Sequence, residues 1–112
     1  MDCVFCKIIN GEIPSTKVYE DENMIVINDL NPRAPIHMLF IPKAHIPSAA
    51  KIDASNSHLV AAIFERIAKI AEEQGFAGGY RVITNIGKDG GQSVEHLHFH
   101  VLAGRVLTEE MG

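Results

Sequence analysis

The chain has no tryptophan, only two cysteines in 112 residues, and no surplus of positive charge. Ten lysines and arginines face fourteen aspartates and glutamates, a formal net charge of −4. Each shortage excludes something. Cys3 and Cys6 are too few and too close together to staple a secreted fold. Without a basic field, neither a nucleic-acid polymer nor an anionic membrane is expected as principal partner. No apolar run approaches the roughly 20 residues of a membrane span, and the acidic start Met1-Asp2 is no signal-peptide n-region. The expected location is therefore the cytoplasm. A hydrophobic fraction of 46% and no repeat or linker suit one globular domain spanning 1–112.

What is abundant is histidine, and half of the six lie in Glu95-His96-Leu97-His98-Phe99-His100-Val101-Leu102. Strand side chains alternate faces, so His96, His98 and His100 line one face while Leu97, Phe99 and Val101 line the other. A helix would scatter them. Three readings of the histidine face stand open. It could be a plain polar face, although such a face ordinarily draws on Thr, Lys, Glu and Ser. It could be a metal site, because neutral imidazole is a common zinc ligand. It could also be a nucleophile with neighbours that orient it and stabilise charge. The preceding Asn85-Ile86-Gly87-Lys88-Asp89-Gly90-Gly91-Gln92-Ser93 is glycine-rich and ends in a hydroxyl, as a phosphate cradle would. It is no Walker A loop, and an ordinary hairpin loop would use the same residues.

Elsewhere, Phe5, Ile8 and Ile9 at helical spacing, stopped by Asn10-Gly11, predict a short N-terminal helix. Lys17–Glu20, Met24–Asn28, Ile36–Pro42 and Tyr80–Asn85 read as strands, and the segment from Pro42 to Ile52 as a connection with one helical turn. A long helix is expected from about Ser55 to Gln74, with Asp53, Ser55 or Ser57 as N-cap and Gly75 as the stop. Its core stripe is Leu59, Ile63, Ile67, Ile70 and Ala71, widened by Val60 and Phe64. His58 reads as a surface residue. A lone histidine such as His37 is ordinarily structural, and Asp29 ordinarily a turn residue. The fold class is α+β, an antiparallel sheet of about five strands packed against one long helix plus a short N-terminal one.

The run His96-Leu97-His98-Phe99-His100-Val101-Leu102 resembles the signature of the histidine triad (HIT) family. Gly90-Gly91-Gln92-Ser93-Val94 is similar to that of its Hint branch, the purine nucleoside phosphoramidases. The resemblance implies the HIT fold, a homodimer formed by joining two sheets, and a purine nucleotide substrate such as an AMP or GMP conjugate. It implies cleavage at the α-phosphorus through a nucleotidyl intermediate on His98. His100 and His96 would meet the phosphate oxygens, His37 would be a fourth active-site histidine, and Ser93 would assist the leaving amine. Asp29 and Leu30 match positions at the nucleoside, with Asp29 on the ribose hydroxyls. Asn85, Gly91, Gln92 and Ser93 match those that hold phosphate and ribose, and the N-terminal segment packs beside the base.

Two features depart from the Hint pattern. The tail Ala103–Gly112 has no Trp and ends acidic, so it presents no aromatic ring to a neighbouring site, and its carboxylates would discourage an anionic leaving group placed near them. Cys3-x-x-Cys6 resembles bacterial HIT proteins with a structural zinc, a likeness that adds His45 and His96 as ligands; reduced thiols or a redox pair are the alternatives. His96 would then brace the catalytic strand instead of meeting phosphate. Other functions left open are a dinucleoside polyphosphate hydrolase, a metal-dependent hydrolase, and a nucleotide-binding regulatory module with weak catalysis.

Overall fold

Runs of β-branched and apolar residues build the sheet. The computed structural model describes residues 3–111, so the acidic start Met1-Asp2 and the terminal Gly112 lie outside it. Five strands, β1 (Lys17–Glu20), β2 (Met24–Asn28), β3 (Ile36–Pro42), β4 (Arg81–Ile83) and β5 (Phe99–Ala103), form one antiparallel sheet in the order β1-β2-β3-β5-β4. A short helix α1 (Val4–Ile9), a 3-10 turn (Ala49–Lys51) and a long helix α2 (Ser57–Gln74) complete the expected α+β arrangement. No described helix is long and apolar enough to cross a membrane.

Both faces of the sheet are covered, and this explains the unbroken apolar run in β2. Met24 and Val26 join Met38, Phe40, Phe99 and Val101 in a core with Ile63, Ile67 and Ile70 of α2. Ile25 and Ile27 turn the other way and pack with Leu39 and Ile41 against Phe5 and Ile8 of α1. A strand buried on both faces loses its alternation. The histidine strand follows the same division. Leu97, Phe99 and Val101 enter the α2 core, while the histidines belong to the side that α1 partly roofs.

Three boundaries differ from the sequence reading. β5 begins only at Phe99, because the Leu97 N–H donates to the Ile46 carbonyl at 2.6 Å, so His96 to His98 border the Pro42–Ile52 connection outside the ladder. β4 spans three residues instead of six, pairing Arg81 with Leu102, Val82 with Val101 and Ile83 with His100. The cap of α2 is Asn56, none of the three expected residues, and its side chain makes no cap bond. It accepts from the Asp53 N–H at 2.8 Å, while Asp53 accepts from the N–H and hydroxyl of Ser55, so these groups fold the lead-in turn. At the other end Gly75 stops the helix as expected, with φ of 83°.

Within α2, Ile63, Ile67, Ile70 and Ala71 are buried as the stripe predicts. Phe64 is not part of the interior. It is 47% exposed, with only a ring edge on Phe99 at 5.5 Å between centroids.

One glycine ties the C-terminal turn to the loop before β3. Gly104 has φ of 96°, and a Cβ there would stand 2.8 Å from the Cβ of Pro35. Gly104→Ala should therefore cost about 1–3 kcal/mol. By contrast, Gly78, with open space around its Cα, should tolerate Ala within about 0.5 kcal/mol. Paired urea titrations check this, and equal midpoints for the two variants would contradict the packing.

Candidate active site and metal-ligand cluster

The centre of the site is His98, whose side chain is almost fully buried. Its Nδ1 lies 2.7 Å from the His96 carbonyl. A carbonyl only accepts, so the proton sits on Nδ1 and the lone pair on Nε2. Thr84 Oγ1 donates to the His98 carbonyl at 2.9 Å, and Phe5 sets its ring edge-on to the imidazole at 5.0 Å. The imidazole is thus held from the backbone, from β4's exit and from α1.

A second tautomer is fixed beside it. The Arg33 N–H donates to His37 Nδ1 at 3.0 Å, which leaves the His37 proton on Nε2. That nitrogen is 2.9 Å from His100 Nδ1, so His37 donates and His100 accepts. The His100 proton is thereby placed on Nε2, and its ring lies 5.1 Å from that of His98. Burial holds both His37 and His100 below the ordinary imidazole value, assisted at His100 by the histidines around it and opposed at both by Asp29. Asp29 is close enough for this, with a carboxylate oxygen 3.4 Å from His37 Nε2, while its other oxygen accepts from the Asn31 N–H at 2.8 Å. Neutral rings keep the chain of single donors intact.

The glycine loop is stitched to itself. The Asn85 amide donates to the Gly90 carbonyl at 2.9 Å, and the Gln92 side chain accepts from the Gly87 N–H while donating to the Pro47 and Val94 carbonyls. Asn85 and Gln92, expected at phosphate and ribose, here shape the loop. Gly91, with φ of 79°, needs the left-handed region at its turn, and Ser93 stands exposed at the loop's end. Leu30 is fully exposed beside Asp29.

His96 is engaged on every side. Its Nε2 lies 2.8 Å from the Pro42 carbonyl, and its Nδ1 is 3.4 Å from Cys3 Sγ, 3.7 Å from Cys6 Sγ and 3.0 Å from His45 Nδ1. Wholly buried, it offers no nitrogen to a phosphate, and the expectation that it contacts phosphate oxygens is corrected on that ground. Cys6 Sγ is 3.3 Å from His45 Nδ1, and the four donor atoms lie within 4.8 Å of one another. A tetrahedral ion with bonds of about 2.0–2.3 Å requires ligand separations of roughly 3.3–3.8 Å. The observed spacings match, with the two nitrogens slightly closer. Burial, then the hydrogen bond and charge of Cys3 beside it, push the Cys6 thiol up, so two thiolates here call for a cation between them. The Pro42 carbonyl supplies the outer hydrogen bond that turns a lone pair of His96 toward such an ion. Asp29, His37 and His100 also converge, but the proton between the two rings accounts for their approach.

Backbone groups were invisible to sequence reading: the Arg33 amide and the carbonyls of His96 and Pro42 have no side-chain signature. Phe5 was read for helical packing, with no contact to His98 foreseen.

The family model described as "Scavenger mRNA decapping enzyme C-term binding" matches residues 2–112. The chain is 42% identical over 107 residues to a purine nucleoside phosphoramidase of Escherichia coli strain K12, covering 95% of this chain and 90% of that one. A histidine triad protein from Clostridium difficile superposes with a TM-score of 0.94 at 54% identity, covering 99% and 97% of the two chains. A Zn-bound histidine triad family protein from Mycobacterium smegmatis gives 0.79 at 39% identity, covering 94% and 76%. With its three alternating histidines on this sheet, the chain belongs to the histidine triad family.

Proposed function

We propose that the chain hydrolyses purine nucleoside 5′-phosphoramidates, or related nucleotide conjugates, at the α-phosphorus through a covalent nucleotidyl-His98 intermediate. The observation that carries this reading is the 2.7 Å bond from His98 Nδ1 to the His96 carbonyl, which leaves Nε2 as a lone-pair nucleophile. The likeness to the Escherichia coli phosphoramidase supports the substrate class. In the proposed sequence, Nε2 bonds to phosphorus as the bond to the leaving nitrogen breaks, and that nitrogen takes its proton from the Ser93 hydroxyl. The His100 Nε2–H, directed through His37 by the Arg33 amide, donates to a phosphate oxygen as charge develops. Water then cleaves the P–N bond to His98 and releases the nucleoside monophosphate. Asp29, a carboxylate that can only accept, suits the ribose hydroxyls. Leu30 contributes apolar surface there, and Gly91 permits close approach of the phosphate.

We also propose that Cys3, Cys6, His45 and His96 hold a structural zinc ion. It would tie α1 to the approach of β5 and supply no step of the reaction. His96 would serve as both ligand and carbonyl brace for His98.

Three outcomes are expected. Brief mixing with adenosine 5′-phosphoramidate should give a transient nucleotidyl adduct by intact mass and release AMP. His98→Ala should lose both by about 10³-fold or more while retaining AMP affinity; near-normal turnover in that variant would remove His98 as nucleophile. Because burial lowers the folded pKa of His37 and His100 from 6.5, the unfolded chain takes up protons first on acidification. Their contribution to stability is full above pH 6.5 and is lost as pH falls through the lower folded values. Urea midpoints between pH 7.5 and 5 should decline, less steeply in His37→Asn; a flat profile would contradict neutral, buried rings. Finally, untagged protein should carry about one equivalent of zinc, and Cys6→Ser should lose the metal together with roughly 3 kcal/mol of stability. Less than about a tenth of an equivalent in wild type would contradict the site.

A further inference from the structure

The proposed substrate path runs across the sheet, and strand order gives its sides. Asp29 follows β2, the reacting histidines belong to β3 and β5, and β4 lies beyond them. A nucleotide with ribose at Asp29 and phosphorus at His98 therefore sends its leaving group toward β4 and the turns that close that end of the sheet.

Two guanidiniums stand at this end. Arg33 lies in the loop before β3, and its charge acts on both His37 and His100, as only a nearby cation would. Arg105 follows β5, and its Nη2 donates to the Arg33 carbonyl at 3.5 Å. The two turns are locked together where Gly104 meets Pro35. Neither side chain forms an ion pair among the described residues. Beside Arg105 a cleft of about 410 Å³ opens over Gly78, Gly79, Tyr80 and Arg81. That is room for a small group beyond the phosphate. Arg81 is already committed, donating to the Thr108 and Glu110 carbonyls. This clasp holds the acidic tail along β4, where Glu109 and Glu110 pair with no arginine among the described residues.

We propose that Arg33 and Arg105 form a subsite for an anionic group on the leaving portion of the substrate, a phosphate or a carboxylate. The inference rests on the nucleotide orientation proposed above. Its chemical logic is a division of labour along one loop and its neighbour: Asp29 accepts from hydroxyls, whereas planar guanidinium forks donate in parallel to a carboxylate or phosphate. Conjugates with charged leaving groups are then preferred to those with neutral ones, despite the two tail carboxylates.

The test uses AMP joined through nitrogen to alanine, the methyl ester of that conjugate, and ATP as the phosphate arm, at low salt. Wild type should show kcat/KM about tenfold higher for the free carboxylate, for ATP, or for both, than for the ester, with the arms telling the two sources apart. Arg33→Gln and Arg105→Gln should each reduce that preference, and the double variant should abolish it, while Arg33→Lys should restore part of it. A wild type without preference, or a double variant that keeps it, would overturn the subsite. If wild type turns over none of the compounds, the proposed reaction fails by itself. The subsite is then read from equilibrium binding of the alanine conjugate against its ester, where a ratio unchanged by the double substitution overturns it and a ratio falling about tenfold upholds it.

Discussion

A single proton, held on Nδ1 of His98 by the His96 carbonyl, sets the chemistry this site can perform. An imidazole free to exchange tautomers would present a lone pair or a proton to the substrate by turns. A carbonyl at 2.7 Å removes that freedom, because it offers only lone pairs. The same device appears in mirror form at His37, where a backbone N–H fixes the acceptor nitrogen and passes the remaining proton to His100. One ring is left as nucleophile and its neighbour as donor. Neither assignment requires a charged side chain, which suits a pocket whose burial keeps the donating histidines neutral.

The fold serves this arrangement by covering the sheet twice. α2 secures the apolar face of β5, and α1 presses Phe5 against the rings of His96 and His98 on the other. Cys3 and Cys6 belong to the same end of the chain and meet His45 and His96 there. His96 is the joint: its ring faces the cysteine cluster while its carbonyl holds His98. A disturbance of the cluster therefore has a route to the nucleophile through one residue, without crossing the core.

The alternation of His96, His98 and His100 was legible in the sequence because a two-residue period admits one face and one reading of sides. The glycine stop at Gly75 was equally plain. Other features depended on partners far along the chain. β5 starts late because Leu97 finds the Ile46 carbonyl, a contact no local pattern encodes. Phe64 sits in a helical stripe by spacing yet remains exposed, since the sheet beneath it ends near Phe99. Asn85 and Gln92 looked like ligands for phosphate, and the loop uses them for its own carbonyls and amides. Arg33 carried no signal at all, because its contribution to the relay comes from its backbone N–H.

The most direct measurement is nitrogen-edited NMR of the ring nitrogens in protein with ¹⁵N-labelled histidine, at pH 7.5 and without substrate. The account predicts His98 protonated on Nδ1 with Nε2 bare, and His37 and His100 both protonated on Nε2. Finding the His98 proton on Nε2, or on both nitrogens, would contradict it, because the lone pair that must reach phosphorus would not be there.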